Sequence, residues 1–302
     1  MSWEAVTKKD FQDSIRSYWL WGLSVLFIVF FGVPAYFFAD RVGSAAQQQG
    51  QQLSTDAFLN ILAEVNAFFV PVIAIVIAYA AIAGERDSGT LKLLLSLPHS
   101  RLDVVVGKVL GRGAVVALPV LVGFVVAGGI FLVTPVEFGY ANYALFALLT
   151  ALLGVTYVAI AIGFSAAADS ARRAMIGTVG IYVLFTLLWN RFASGLINLL
   201  SEYADLGGES LVSIHLLVKV LNPSQAYKSL TLRLVTDTAA QARVSLIGGG
   251  GLQGQLNRQM YAQALGDSVP FYLSDMAVVV FMLAWLVILP AAGYYVFDQA
   301  DL

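Results

Sequence analysis

The chain of 302 residues has no cysteine, which excludes disulfides, thiolate chemistry and cysteine metal sites. Its two histidines, His99 and His215, are 116 positions apart and leave little for a histidine metal centre. Charge is scarce as well: 12% of residues are Asp, Glu, Lys or Arg, against 59% hydrophobic. A soluble domain of this size carries about twice that charge. There is no Glu-Glu pair, no HExxH and no His-x4-acidic spacing, so an intramembrane peptidase or acyltransferase lacks its clustered acid–base groups. The net charge of −2 carries little information for so apolar a chain, but residues 191–275 hold six basic and six acidic residues, a balance that announces no nucleic-acid partner.

What is present is long apolar runs without alternation, the pattern of several transmembrane helices. Six are expected: Tyr18–Ala39, Val65–Gly84, Gly113–Val136, about 142–165, Ala174–Asn190 and Met276–Phe297. Pro34 and Pro290 are expected to kink the first and last. Ahead of the first, residues 2–17 place Trp3, Val6, Phe11 and Ile15 at helical spacing among charges, which predicts an amphipathic helix on the membrane surface. The fold class is therefore an all-α integral membrane protein. Three segments follow: 1–190 (leader and spans one to five), 191–275 (a helical insertion) and 276–302 (last span and tail). In the insertion, amphipathic stretches at Glu209–Leu221 and Leu252–Leu265 flank the breaker Asn222-Pro223.

Lys and Arg are unevenly placed. The leader has three, residues 85–112 have five and 169–173 have two, against one in 40–64 and none in 134–137. By the positive-inside rule the leader, the 85–112 stretch and the carboxyl terminus are cytoplasmic, and 191–275 is external. None of the six runs carries an ionisable residue in its centre, which argues against an ion-coupled transporter and for an outside energy source. Tyr79, Thr156, Tyr157, Thr178, Tyr182 and Thr186 either line a pathway or join helices to one another, and the latter is the commoner role.

The organising stretch is Glu85–Lys108, a charged island between two apolar runs. Gly84-x4-Gly89 has phosphate-loop spacing, but Thr90 stands where the lysine is required, and no strand precedes it. This chain therefore binds no nucleotide there. Ser88-Gly89-Thr90 opens a short apolar helix over Leu91–Ser96 that closes at Leu97-Pro98, and Ser100 with Asp103 forms a capping box for the next helix.

The pattern Glu85-x3-Gly89-Thr90-Leu91-x2-Leu94-Leu95-x2-Pro98-x2-Arg101-x5-Gly107-Lys108 resembles the permease subunits of ABC transporters of the ABC-2 type, in the branch of the nitrous-oxide-reductase maturation permease. Asn222-Pro223-x2-Ala226-Tyr227 resembles a second segment of that branch, while the acidic tail departs from the basic tails of such relatives. The resemblance implies a homodimer with two ATPase subunits docked beneath it. ATP and Mg would be held by those partners, with no cofactor or metal in this chain. The residues implied in coupling are Glu85, Arg86, Ser88, Gly89, Thr90, Leu91, Leu94, Leu95, Pro98 and Arg101. It also implies a plasma-membrane location and leaves room for an extracytoplasmic partner. The alternative is a membrane anchor or force-transmitting subunit that binds an external partner without transport.

The absence of cysteine makes the orientation directly testable. In spheroplasts, Gln48→Cys is expected to react with a membrane-impermeant maleimide, and Ser170→Cys only after permeabilisation. The opposite pattern would invert the topology.

Overall fold

A computed structural model of the protein describes residues 3–16, 18–43, 54–91, 100–204, 207–247, 251–265 and 269–300. Those residues are almost entirely helical; one isolated bridge joins Ser54 to Glu137. Six helical stretches are long and apolar enough to cross a membrane: Leu20–Gly43, Thr55–Asp87, Arg101–Leu132, Tyr140–Ala167, Ala171–Tyr203 and Asp275–Gln299.

The leader α1 (Trp3–Arg16) lies against the third span, α5 (Arg101–Leu132). Two glycines one turn apart make the seat. A Cβ on Gly107 would stand 2.6 Å from Val6 Cβ, and one on Gly111 would stand 2.9 Å from Asp10 Oδ2. This close approach is the small-x-x-x-small device by which helices pack backbone to backbone. The first span begins as α2 (Tyr18–Phe37), runs on past Pro34 and ends in a π-helical segment, Phe38–Gly43. Its Phe27 and Phe31 stack on each other, and Phe31 meets Phe124 of α5 at 4.2 Å.

The second span is α3 (Thr55–Ala78), a turn at 79–82 and the short α4 (Ala83–Asp87). It starts ten residues before the apolar run at Val65. The polar residues of its first turns have partners: Asp56 accepts from Asn142, and Glu64 pairs with Lys228. The fourth span, α6 (Tyr140–Ala167), is the centre of the bundle, with 72% of its apolar window buried. It packs on the last span, α13 (Asp275–Gln299), through Gly163 and Gly293, where a Cβ on either would fall within 2.4 Å of the other helix's backbone.

The fifth span also outruns its charge-free stretch. It is α7 (Ala171–Val183), a π segment (Leu184–Leu188) and α8 (Trp189–Tyr203), so the helix continues past Asn190. Only 17% of its window is buried, as expected of a helix facing lipid or a partner. Beyond it, α9 (Gly208–Val220) and α10 (Pro223–Arg233) form a hairpin with its tip at Leu221-Asn222. The tip reaches down between the spans. Trp285 donates to the Leu221 carbonyl, and Trp285 is ten residues, about 15 Å at 1.5 Å per residue, from the start of α13.

Asn222 fixes this tip. Its Oδ1 caps α10 by accepting from the Ser224 and Gln225 amides, and its Nδ2 donates to the Phe185 carbonyl inside the π segment at 2.7 Å. Pro223 takes the first helical position, where no amide hydrogen is needed. Tyr227, fully buried, bonds Asn66 and Thr150, and Tyr157 bonds Ser224 at 2.8 Å. Tyr182 donates to the Phe68 carbonyl, and Thr156 and Thr178 donate back along their own helices. These span residues therefore tie backbone and helices together. The short α11 (Ala239–Val244) and α12 (Gly251–Leu265) complete this far end. There Arg243, fully buried, pairs with Asp275 at 2.6 Å and donates to Leu273 and Ser229.

Gly163→Ala is expected to destabilise the bundle by about 1–3 kcal/mol, because backbone must move to admit the methyl. Gly129→Ala has no heavy atom within 4 Å of the new methyl and is expected to be neutral or mildly stabilising. Thermal unfolding of the two variants in one detergent checks this; equal midpoints would refute it.

Candidate coupling surface at the leader end

One end of the bundle gathers the leader, the turn from second to third span, the 168–170 loop and the end of α13. Its centre is Lys108, 3% exposed at its side chain. The ammonium sits 2.7 Å from Glu85 Oε1 and 3.6 Å from Asp10 Oδ1. Asp10 also pairs with Arg112 at 3.1 Å, and Arg112 donates to the Ile77 carbonyl. Lys108 and Arg112 stand four residues apart on one helix face, so a single leader carboxylate reaches both. The amino end of α1 is tied down by a bond from the Trp3 amide to Asp103 Oδ1 at 3.1 Å.

Asp103 also completes the expected capping box. Ser100 accepts from the Asp103 amide, and the Asp103 carboxylate accepts from the Ser100 amide at 3.0 Å. This fixes where α5 begins and hence how the preceding stretch enters it.

The turn out of the second span is held from several sides. Ser165 Oγ accepts from the Ile82 and Ala83 amides, both at 3.0 Å, which satisfies two donors that the break after α3 leaves over. Arg86 donates to the Ala168 carbonyl at 2.8 Å and lies over the Phe297 ring at 5.5 Å. Asp87 accepts from the Ala171 amide at 2.9 Å, at the start of α7, where the helix dipole favours a carboxylate. Gly89 then reverses the chain at φ 73°, a conformation that side chains disfavour. The Ser88 and Thr90 hydroxyls lie 2.9 Å apart and each 3.3 Å from the Glu85 carbonyl, so one donates to the other, which donates to the carbonyl.

The sequence-predicted residues fall into two groups. Ser88, Gly89 and Thr90 are exposed and form a surface knuckle. Glu85, Arg86, Leu91 and Arg101 turn inward. Leu91 is 1% exposed. Arg101 donates to the Phe297, Asp298 and Ala300 carbonyls, the last two at 2.9 Å, and lies over the Phe297 ring at 5.3 Å. It is thus a cap on the last helix, placed where a cation meets the negative end of the dipole. Leu94, Leu95 and Pro98, with the rest of the expected short helix, lie outside the described residues.

Sequence reasoning missed Asp10, Arg112, Asp87 and Ser165. The i,i+4 pair Lys108/Arg112, each one residue after the glycines of the pair Gly107/Gly111, was the available signal that a leader carboxylate docks there.

The family model described as "ABC-2 family transporter protein" matches residues 4–302. The probable ABC transporter permease protein NosY of Stutzerimonas stutzeri is 32% identical over 231 residues, covering 75% of this chain and 80% of that protein. The protein of the same name from Pseudomonas aeruginosa is 30% identical over 247 residues, covering 80% and 85%.

Removing one partner of a buried ion pair leaves the other uncompensated, at about 3–5 kcal/mol. Lys108→Met is therefore expected to lower thermal stability clearly and to open the leader to protease. Arg173→Ala, whose partner Asp169 is 72% exposed, is expected to cost under about 1 kcal/mol. A Lys108→Met protein that melts with wild type would show that the junction holds nothing together.

Proposed function

This chain belongs to the ABC-2 family of transporter proteins, and from that premise we propose that it is the permease subunit through which ATP hydrolysis on a separate chain is coupled to movement across the plasma membrane. The chain itself is not an enzyme. ATP and Mg are held by two ATPase subunits, and a second copy of this chain completes the membrane pathway. The amino and carboxyl termini face the cytoplasm with the coupling surface, and the α9–α12 helices face outward. There they are available to an extracytoplasmic partner.

The observation that carries this reading is the division within the 85–101 stretch. An exposed knuckle, Ser88-Gly89-Thr90, is flanked by residues anchored to three other elements: Glu85 to α5, Arg86 to the 168–170 loop and Arg101 to the end of α13. A surface loop that only obeyed the charge rule would need none of these anchors. A loop that receives a push needs all of them, because displacement of the knuckle must reach several spans together. Residues 88–97, with Leu94 and Leu95 and closed by Pro98, are the part received by a groove on the ATPase in this reading, with Leu91 buried against its own fold. Tyr157, buried and bonded to Ser224 of α10, and the half-buried Tyr182, bonded to the Phe68 carbonyl, supply joints for that motion to bend.

The test is ATPase activity of the reconstituted complex with its cognate ATPase. Gly89→Asp or Leu94→Asp is expected to abolish stimulation by the permease while the chain still inserts and folds. Arg101→Ala is expected to retain ATPase binding and to lose at least half of the coupled activity. Wild-type stimulation and assembly in both Asp variants would sink the proposal.

A further inference from the structure

Three helices of the far end each carry polar residues at four-residue spacing, which places each set on one face. On α8 they are Asn190, Ser194 and Asn198; on α9, His215 and Lys219; on α12, Asn257 and Tyr261. The three faces meet around a half-open cavity of about 420 Å³, lined also by Ile197 and Ile247. Small-molecule sites fall in the range of about 300–1,000 Å³, larger than a bare ion requires.

The cavity is rich in donors, and among the described residues its lining includes no Asp or Glu. Lys219 is 3% exposed and donates to Asn190 Oδ1 at 3.0 Å and to the Leu246 carbonyl at 2.7 Å. An ammonium has three hydrogens, so one is unassigned by these contacts. Among the described residues no carboxylate forms an ion pair with it. Burial, with the Lys228 cation adding to it, lowers its pKa to about 8, so it is still largely charged at pH 7. A buried cation held only by neutral groups is costly unless an anion joins it.

His215 is 6% exposed, and its Nδ1 bonds the Tyr261 hydroxyl at 2.7 Å. Its Nε2 is buried and, among the described residues, has no partner. Burial and the Lys219 charge hold the ring neutral at pH 7, with a pKa of about 4. In the tautomer in which the Tyr261 hydroxyl donates to Nδ1, Nε2 carries the hydrogen and is a donor.

We propose that this cavity binds a small ligand through an oxyanion, carboxylate or phosphate, seated on the Lys219 ammonium and His215 Nε2. The amides of Asn190, Asn198 and Asn257 hold its remaining polar atoms, and Ile197 and Ile247 cover its apolar body. The shared chemistry fits both a free solute and the headgroup of an anionic lipid. The inference rests on the cavity alone and is independent of the coupling proposal.

The experiment is thermal unfolding of the full chain, without any ATPase, with sodium phosphate or sodium succinate against sodium chloride at matched ionic strength. In detergent, wild type is expected to show a saturable rise in midpoint with at least one of the two anions. Lys219→Gln should abolish it, and His215→Gln should raise the half-saturating concentration at least tenfold. The histidine variant keeps the test valid if Lys219→Gln fails to fold. A second arm compares nanodiscs of phosphatidylglycerol with phosphatidylcholine and no added anion. A rise confined to phosphatidylglycerol and weakened in His215→Gln supports the same site and assigns the oxyanion to a headgroup. No rise in either arm, or a rise that His215→Gln leaves unchanged, overturns the proposal.

Discussion

An ammonium removed from water is one of the more expensive things a protein can bury, and the leader end of this molecule is built around one. Lys108 is offset by two carboxylates from different parts of the chain, Glu85 after the second span and Asp10 on the leader. Each ion loses several kcal/mol of hydration on burial, recovered only with close geometry. That requirement dictates the neighbourhood. The leader must come near enough for Asp10 to reach, so Gly107 and Gly111 carry no side chain. The second span must stop where Glu85 meets the lysine, so its helix breaks at 79–82 and Ser165 takes up the loose amides. Charge, glycine spacing and helix break form one solution to one electrostatic problem.

The far end solves a different problem, that of placing irregular backbone deep among apolar helices. Away from water every carbonyl and amide needs an internal partner. The α9–α10 tip meets this with Asn222, whose side chain serves the amides of α10 and a carbonyl of the fifth span at once. The accepting carbonyl, Phe185, lies inside a π segment, where the helix ladder is wound differently and is often put to use. The insertion is therefore not a lid resting on the spans. Its α10 is packed against the second, fourth and last of them.

Much of this was legible in the sequence where hydrophobicity alone decides. Six apolar runs became six spans, and Ser100 and Asp103 announced their cap. Helix ends were less legible, for a physical reason. Hydropathy reports where water and lipid meet, whereas a helix continues as long as its polar residues find partners. Asp56 and Glu64 find theirs in Asn142 and Lys228, so α3 begins ten residues early. Arg191 is exposed on a continuing helix, so the fifth span does not stop at Asn190. At the candidate site the stretch was legible but the direction of its side chains was not. Glu85, Arg86 and Arg101 sit in a loop-like, charged segment, and sequence cannot distinguish a charge facing a partner from one facing its own fold. The distinction lay in residues far away in the chain, Asp10, Ala168 and Phe297.

That inward turn sharpens the proposed mechanics. A contact patch of free side chains would slide under load, since exposed ion pairs are worth little and exchange readily. Here Arg86 and Arg101, which flank residues 92–99 in the sequence, converge on the same ring, Phe297. The two ends of the segment that would touch an ATPase are therefore fastened to one helix terminus. On the proposed reading, displacement of that segment bears on the last span and, through Lys108, on the leader and third span together. The spans contain polar joints, and the charged residues Asp56 and Glu64 on the second span and Lys108 and Arg112 on the third lie in the first turns and are paired, which on the proposed reading leaves this end as the place where energy enters. The knuckle at Ser88–Thr90, small, exposed and tightly turned, is the place in the described surface shaped to receive it.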